Sequence, residues 1–238
     1  MGYLILSAIF VGVLIFIRCT NYLVNKYKLD ILYGPKGVGK STLLHKYAWK
    51  YHKKGWKIAC NMGDISPDLF GPESDVVYNF PASDIGLFAR AYSDLDIRAK
   101  LAKKYASLGL DHYFLEPHSL ILIDEINTLW DNRDFAKFPD HANEYFRKQR
   151  HYKHKIIAFS QSFDQDAKIR RLTDHIVICR RFLRCWVIGR SYQQTPIMAK
   201  SAIEEGAHKP ADDYRKISIL PNYLCYLPHW IKKFNSFS

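Results

Sequence analysis

Apolar positions along this chain fall into a few sharply bounded runs, and each run predicts a different element. The first, Tyr3 to Ile17 (YLILSAIFVGVLIFI), carries no charge and is followed by Arg18, Lys26 and Lys28. At about 1.5 Å rise per residue this run gives only about 22 Å, short of a hydrocarbon core of about 30 Å. A membrane-crossing helix would therefore draw in Met1, Gly2 and part of Cys19 to Val24. A removed signal peptide would need a positive n-region and a small-residue cleavage site, and neither is present. A buried core helix is the remaining alternative for so short a run. Lys and Arg stay on the cytoplasmic side of a membrane, so the flanking charges predict an outside N-terminus and a cytoplasmic remainder.

Further along, Leu29 to Tyr33 (LDILY) and Trp56 to Asn61 read as short strands. Ser119 to Ile123 (SLILI) and Ile156 to Phe159 are apolar without alternation, as expected of parallel strands buried on both faces. Ser83 to Ser107, rich in Ala, Leu and Lys, reads as mostly helical, and Ala142 to His151 as another helix. From His175 onward, HIVIC and CWVIG flank Arg180 to Arg184, which predicts an antiparallel hairpin at a sheet edge. No internal repeat or low-complexity linker interrupts the pattern.

The loop after the first strand carries the clearest chemistry. Gly34-Pro35-Lys36-Gly37-Val38-Gly39-Lys40-Ser41-Thr42 matches GxxxxGK[ST] completely, between a strand and a helix expected over Lys40 to about Lys54. Such a loop turns its backbone N–H groups inward around an anion, and glycines keep side chains out of the way. All nine residues are candidate ATP ligands. Lys40 is expected between the β and γ phosphates, Ser41 on magnesium, and the helix dipole behind both. Eighty residues on, SLILI ends in Asp124-Glu125, the pattern of a Walker B strand. Asp124 is the second expected magnesium ligand and Glu125 the group that polarises the attacking water. Gln161, at the tip of the strand ending in Ser160-Gln161-Ser162, is a candidate sensor of the γ-phosphate.

The fold class expected is α/β: a P-loop NTPase with a mainly parallel central sheet flanked by helices, plus an N-terminal transmembrane helix. Length limits the chain to one such domain, organised as a membrane anchor (1–24), the ATPase domain (25–216) and a C-terminal tail (217–238). The net charge of +12 favours anionic partners, phosphate backbones or lipid headgroups. Five cysteines without a CxxC pair suggest reduced thiols rather than zinc ligands or disulfides, and His151 and His154 read as solvated basic residues. Arg147, Lys148, Arg150, Lys153 and Lys155, with Tyr152 among them, form the candidate footprint for direct nucleic-acid contact.

From Leu120 to Arg190 the chain resembles the Zot-like (zonula occludens toxin) family, the filamentous-phage morphogenesis ATPases within the FtsK/HerA group of P-loop motors. The residues carrying the likeness are Ile123-Asp124-Glu125, RKQRHYKHK at Arg147 to Lys155, IIAFSQ at Ile156 to Gln161, and Ile169-Arg170-Arg171-Leu172 before an apolar strand. The resemblance implies an inner-membrane motor, single-pass with its ATPase domain cytoplasmic, that uses ATP to assemble and extrude a single-stranded DNA phage. Its implied partners are the phage coat protein, the single-stranded DNA–protein complex and further copies of the chain in a ring. The apolar segment departs from the family pattern, because it precedes the ATPase domain instead of following it.

A ring places nucleotide sites between subunits, and a site holding only Lys40 and magnesium leaves developing γ-phosphate charge uncompensated. An arginine from a neighbour is expected to supply it. Arg170 is the first candidate and Arg171, Arg147 and Arg150 the alternatives, with Arg170 and Arg171 expected near the sheet's ligand-binding edge. Two other functions fit the same motifs: a plasmid or conjugative DNA-translocating ATPase of the FtsK/HerA type, and a nucleotide-binding scaffold that does not hydrolyse ATP.

Overall fold

In the computed structural model, which describes residues 2–24, 26–61, 77–110, 112–130, 138–161, 167–195, 213–216 and 223–231, the apolar runs assemble into one sheet. Six strands are parallel: β1 (Leu29–Tyr33), β2 (Lys57–Cys60), β3 (Val77–Asn79), β4 (Ser119–Ile123), β5 (Lys155–Ser160) and β6 (His175–Phe182). Their spatial order is β3-β2-β4-β5-β1-β6. Strand β5 therefore lies between β1, which leads into the glycine loop, and β4, which ends in the two carboxylates. Beyond β6 the sheet turns antiparallel. Strand β7 (Trp186–Thr195) folds back on β6, β8 (Asp213–Lys216) pairs with the second half of β7, and β9 (Tyr223–Tyr226) with its first half. The hairpin expected between HIVIC and CWVIG is thus present, closed by Leu183 and Arg184 with φ of 46° and 56°.

Alternation along β1 distributes its side chains to two cores. Leu32 packs with Leu43, Phe159, Val177 and Val187 beneath α2 (Lys40–His52). Ile31 packs with Phe88, Ile123 and Tyr145 on the opposite face, covered by α3 (Ile85–Arg90), α6 (Asp140–Lys148) and α7 (Ala167–Leu172). Helix α4 (Leu95–Lys104) lies outside α3, with Asp94 capping the Asp96 and Ile97 N–H groups. Short α5 (Ile126–Leu129) follows β4. The stretch expected to be helical over Ser83 to Ser107 is thus α3 and α4 with a turn between them.

Three expectations change. Residues 217–222 and 232–238 lie outside the described residues, but the segment between them is no tail. Strand β9 belongs to the sheet, and α8 (Leu227–Ile231) packs on α2, where Trp230 meets Trp49 edge-on at 5.4 Å. The signal was weak because β9 finds its partner 30 to 40 residues back along the chain, on β7. His154 is not solvated: it is 1% exposed, its Nε2–H donates to the Glu116 carbonyl and its Nδ1 accepts from the Tyr145 hydroxyl. Burial holds its pKa down to about 4, so it is a neutral core residue. Lys155 is likewise 4% exposed, because it pairs with Asp30 across the β1–β5 ladder.

Asp30 lies at the N-terminal edge of the sheet, and its carboxylate is fully engaged. It accepts from Lys155 Nζ, from His175 Nδ1 at 2.9 Å and from the Tyr223 hydroxyl at 2.6 Å. Burial alone would raise this carboxyl, but the Lys155 ammonium and the His175 ring hold it well below the usual range.

The opening apolar run forms one helix, α1 (Gly2–Val24). All its described side chains but Leu14 are exposed, Tyr3 at 91%, Leu6 at 66% and Phe16 at 70%, so it is not a core helix of this domain. Among the described residues no helix is long and apolar enough to cross a membrane. In α1 the described side chains are Tyr3 and residues 6–16, fewer than a span requires.

Candidate nucleotide site

The C-terminal ends of β1, β4 and β5 bring the sequence motifs together. The glycine loop leaves β1 with the Gly34 N–H on the Ser160 carbonyl at 3.2 Å, which ties it to the end of β5. Gly37 and Gly39 then take φ of 78° and 100°, left-handed values that a side chain would oppose. At Gly39 space is short as well, since a Cβ would lie 2.8 Å from Leu227 Cδ2 and 3.0 Å from Val187 Cγ2. The hairpin and α8 thus close directly on the loop. Helix α2 begins at Lys40, whose 13 residues carry the aligned peptide dipoles away from the loop.

Lys40 is 9% exposed, and its ammonium donates to the carbonyls of Gly34 at 2.7 Å and Pro35 at 3.2 Å. Burial lowers its pKa, while Asp124 and Glu125 oppose that shift through space. Ser41, in the first turn of α2, is exposed at the loop's mouth.

Asp124 is held from β2. Asn61 Nδ2 donates to the Asp124 carbonyl at 2.8 Å, and the Asp124 N–H donates to Asn61 Oδ1 at 2.7 Å. Burial raises the Asp124 carboxyl, against the Glu125 N–H bond and the attraction of Lys40. Among the described residues no ion pair joins Lys40 to Asp124. Glu125 adopts φ 48° and ψ 54°. For a residue with a Cβ that conformation costs about 1–2 kcal/mol, retained here because Thr128 returns both its N–H and its hydroxyl to the Glu125 carbonyl. The Gln161 amide donates to the Glu125 carboxylate, so the candidate sensor touches the candidate base directly.

Two cavities flank this constellation. One of about 550 Å³ lies between the glycine loop, Gln161 and the hairpin residues Cys179, Arg180 and Arg181. The other, about 400 Å³, is lined by Asn61, Ser83, Asp124, Glu125 and Thr128. The donor set fits a nucleotide with magnesium. Among the described residues Lys40 is a buried ammonium whose hydrogen bonds go to loop carbonyls, and Ser41 and Asp124 supply the hard oxygens that ion prefers. Asn61 and the two hairpin arginines went unnoticed in the sequence. Their signals were slight, one polar residue at a strand end and two arginines in the last residues of β6, between the hairpin's apolar runs.

The arginines proposed to act across a boundary separate clearly. Arg150 pairs with Asp174 of its own chain. Arg170 is half-buried, with a buried Nε that makes no hydrogen bond among the described residues. It does not stand at the ligand-binding edge. Helix α7 ends beside Thr173, and the chain then enters β6 at His175, opposite Asp30, at the far edge of the sheet. Arg147 and Arg171 are exposed. The basic stretch at 147–155 is similarly divided, with Lys155 buried, Arg150 and Lys148 ion-paired, and Arg147 and Lys153 at the surface.

Comparison with known proteins adds the following. The pattern of the "ATPase family associated with various cellular activities (AAA)" matches residues 31–179. No curated protein matches the chain. Among solved structures, the genome packaging NTPase B204 of Sulfolobus turreted icosahedral virus 2 in complex with AMP is 18% identical over 67% of this chain and 79% of its own, at a TM-score of 0.42. The N-terminal domain of zonular occludens toxin from Neisseria meningitidis is 12% identical over 83% of this chain and 100% of its own, at 0.45. The pCW3 conjugation coupling protein TcpA, with ATPγS, is 20% identical over 66% of this chain and 50% of its own, at 0.40.

Proposed function

The chain belongs to the ATPase family associated with various cellular activities (AAA) and is an ATP hydrolase; from that premise we propose that it is a membrane-held motor driving the assembly and extrusion of a filamentous single-stranded DNA phage. The observation that carries this reading is the pairing, in one short chain, of a hydrolytic site with an apolar helix whose described side chains face outward. The succession of Walker B carboxylates, basic aromatic stretch, IIAFSQ and Ile169-Arg170-Arg171-Leu172 supports it from the sequence side.

Hydrolysis follows from the placement of groups. ATP would be held by the N–H groups of the Gly34 to Thr42 loop, and magnesium by Ser41 and Asp124; the ion supplies charge neutralisation for the phosphates. Lys40 exchanges its two carbonyl partners for phosphate oxygens, whose negative charge compensates a buried ammonium better than neutral carbonyls do. Glu125 accepts a proton from the attacking water, oriented by the Gln161 amide and by the backbone that Thr128 fixes. Asn61 keeps the Asp124–Glu125 peptide in register with β2.

In this proposal α1 lies in the host's inner membrane with the ATPase domain cytoplasmic, and copies of the chain form a ring. A neighbour's arginine completes each site; Arg171 and Arg147 surpass Arg170 in exposure alone, because α7 and α6 carry all three toward the same far edge of the sheet. The decisive experiment is made on infected cells. A phage carrying Lys40→Ala should accumulate intracellular single-stranded DNA complexes and release no virions, and membrane fractions should hold the protein through carbonate extraction. Normal virion release from the variant contradicts the motor; a soluble full-length product contradicts the anchor.

A further inference from the structure

The antiparallel end of the sheet is built differently from the rest. Toward α2, its strands bury Val177, Cys179, Val187 and Cys225. The alternate residues point the other way. There Arg180, Phe182, Trp186, Arg190 and Tyr226 share one face, because Phe182 pairs with Trp186 and Trp186 with Tyr226 across adjacent strands, and Arg180 and Arg190 follow at even spacing. Phe182 is 52% and Tyr226 43% exposed, Arg180 and Arg190 are exposed, and the Trp186 and Tyr226 rings are 4.9 Å apart. Among the described residues, the helices α3, α6 and α7, which cover this face at β1 and β5, do not extend over β7 and β9. Arg184 adds a third guanidinium at the turn, and no Asp or Glu occurs from His175 to Thr195 or from Tyr223 to Ile231.

We infer that this face binds single-stranded nucleic acid, whose bases stack on the Phe182–Trp186–Tyr226 ladder while the arginines follow the phosphates. Sequence-tolerant binding of this kind needs an aromatic platform and a positive track, and both occur here on one surface. Three guanidiniums, with no carboxylate on β6, β7 or β9, fit a polyanion by charge. A lipid surface is disfavoured by position, because α1 leads into the N-terminal edge of β1 whereas the hairpin tip projects beyond the opposite edge. The footprint also moves away from residues 147–155, whose charges are partly buried or ion-paired.

Placement beside the nucleotide gives the contact a purpose. Val187, one strand position from Trp186, closes on Gly39, and Cys179 and Arg180 line the cavity next to the glycine loop. A change in that loop on nucleotide binding would be felt by the hairpin without an intermediary. This inference rests on the proposed motor for its substrate class, but not for its binding chemistry.

The test uses the full chain in detergent micelles and a labelled oligothymidylate of about 20 nucleotides, spanning one or more binding sites of this type. Anisotropy is read from about 50 to 200 mM salt, with oligouridylate, a duplex and anionic vesicles as separate arms. Phe182→Ala and Tyr226→Ala should each weaken single-strand binding roughly tenfold with the salt slope unchanged. Arg184→Gln and Arg190→Gln should each lower the slope by about 0.7. Arg147→Gln with Lys148→Gln should change affinity less than about twofold. Wild-type affinity in all four face variants overturns the inference, as does an equal loss in the Arg147/Lys148 control. So does a change in oligomeric state instead of affinity, which would make the face a protomer interface, or binding to vesicles alone. DNA-independent ATP turnover, measured on the same wild-type preparation, separates the two proposals: turnover without oligonucleotide binding defeats only this one, and loss of turnover defeats the motor.

Discussion

Each edge of the sheet carries a lysine near an aspartate, and the two pairs behave oppositely. At the N-terminal edge Lys155 and Asp30 form a direct buried ion pair, completed by His175 and Tyr223. At the C-terminal edge Lys40 and Asp124 sense each other only through space, and each is pushed by burial toward its neutral form. Burial acts in the same sense on both aspartates; the partners decide the outcome. A closed network stabilises the fold and leaves nothing to offer a ligand. The open one stores unfavourable charge that a triphosphate and its metal can neutralise, which is how a binding site differs from a structural ion pair of like composition.

The sharpest way to break this comparison is to mutate one residue at each edge and measure both stability and turnover. Glu125→Gln should lower kcat by about a thousandfold, the range for losing a general base, with the melting temperature unchanged or slightly raised. Asp30→Asn should do the converse. It leaves Lys155 buried without its counter-charge, so unfolding free energy should fall by about 3–5 kcal/mol in denaturant titrations, while kcat of the remaining folded protein stays within about twofold. Equal effects on both quantities from either variant would erase the distinction between the edges.

A third prediction uses pH. The His154 pKa is lowered from 6.5 to about 4, so between those values the unfolded chain binds a proton that the folded chain refuses. Stability from this group is therefore complete above pH 6.5 and falls as pH drops toward 4, by about 3 kcal/mol in all. Asp30, whose carboxyl is depressed, keeps its contribution in that window and loses it only at lower pH, below the range of an ordinary carboxylate. Denaturant midpoints in His154→Gln should be flatter over the window than in wild type. The smallest effect expected is at Asn61→Ala, where the Asp124–Glu125 peptide loses its anchor on β2. There kcat should fall about tenfold with KM little changed, as for a group that positions without touching substrate.

Five of the six parallel strands were legible because each is a short apolar run ending at a turn, and the glycine loop because its spacing is nearly unique; β3 was missed because three residues make no run. What escaped depended on contacts made at long range. Tyr223 to Tyr226 has too few residues to announce a strand beside two prolines, and its place depends on β7. Lys155 and His154 sit in a run that looks uniformly basic, yet one faces Asp30 and the other Glu116 and Tyr145. Arg170 was expected at the ligand edge because it follows the Gln161 strand, and the descent of α7 toward His175 carries it away. Asn61 has no motif around it; only the neighbouring of β2 and β4 makes it part of the site.

Lys40 holds the nucleotide while Glu125 acts on water, two tasks that sequence spacing alone assigns and that fall on separate elements, Lys40 at the start of α2 and Glu125 just beyond β4. Calorimetric titration of magnesium-ATP into Lys40→Ala and Glu125→Gln, with turnover followed in the same samples, tests this division of tasks directly. Glu125→Gln should bind ATP as tightly as wild type without hydrolysing it, whereas Lys40→Ala should neither bind nor hydrolyse. Lost binding in Glu125→Gln together with surviving turnover in Lys40→Ala would contradict that division.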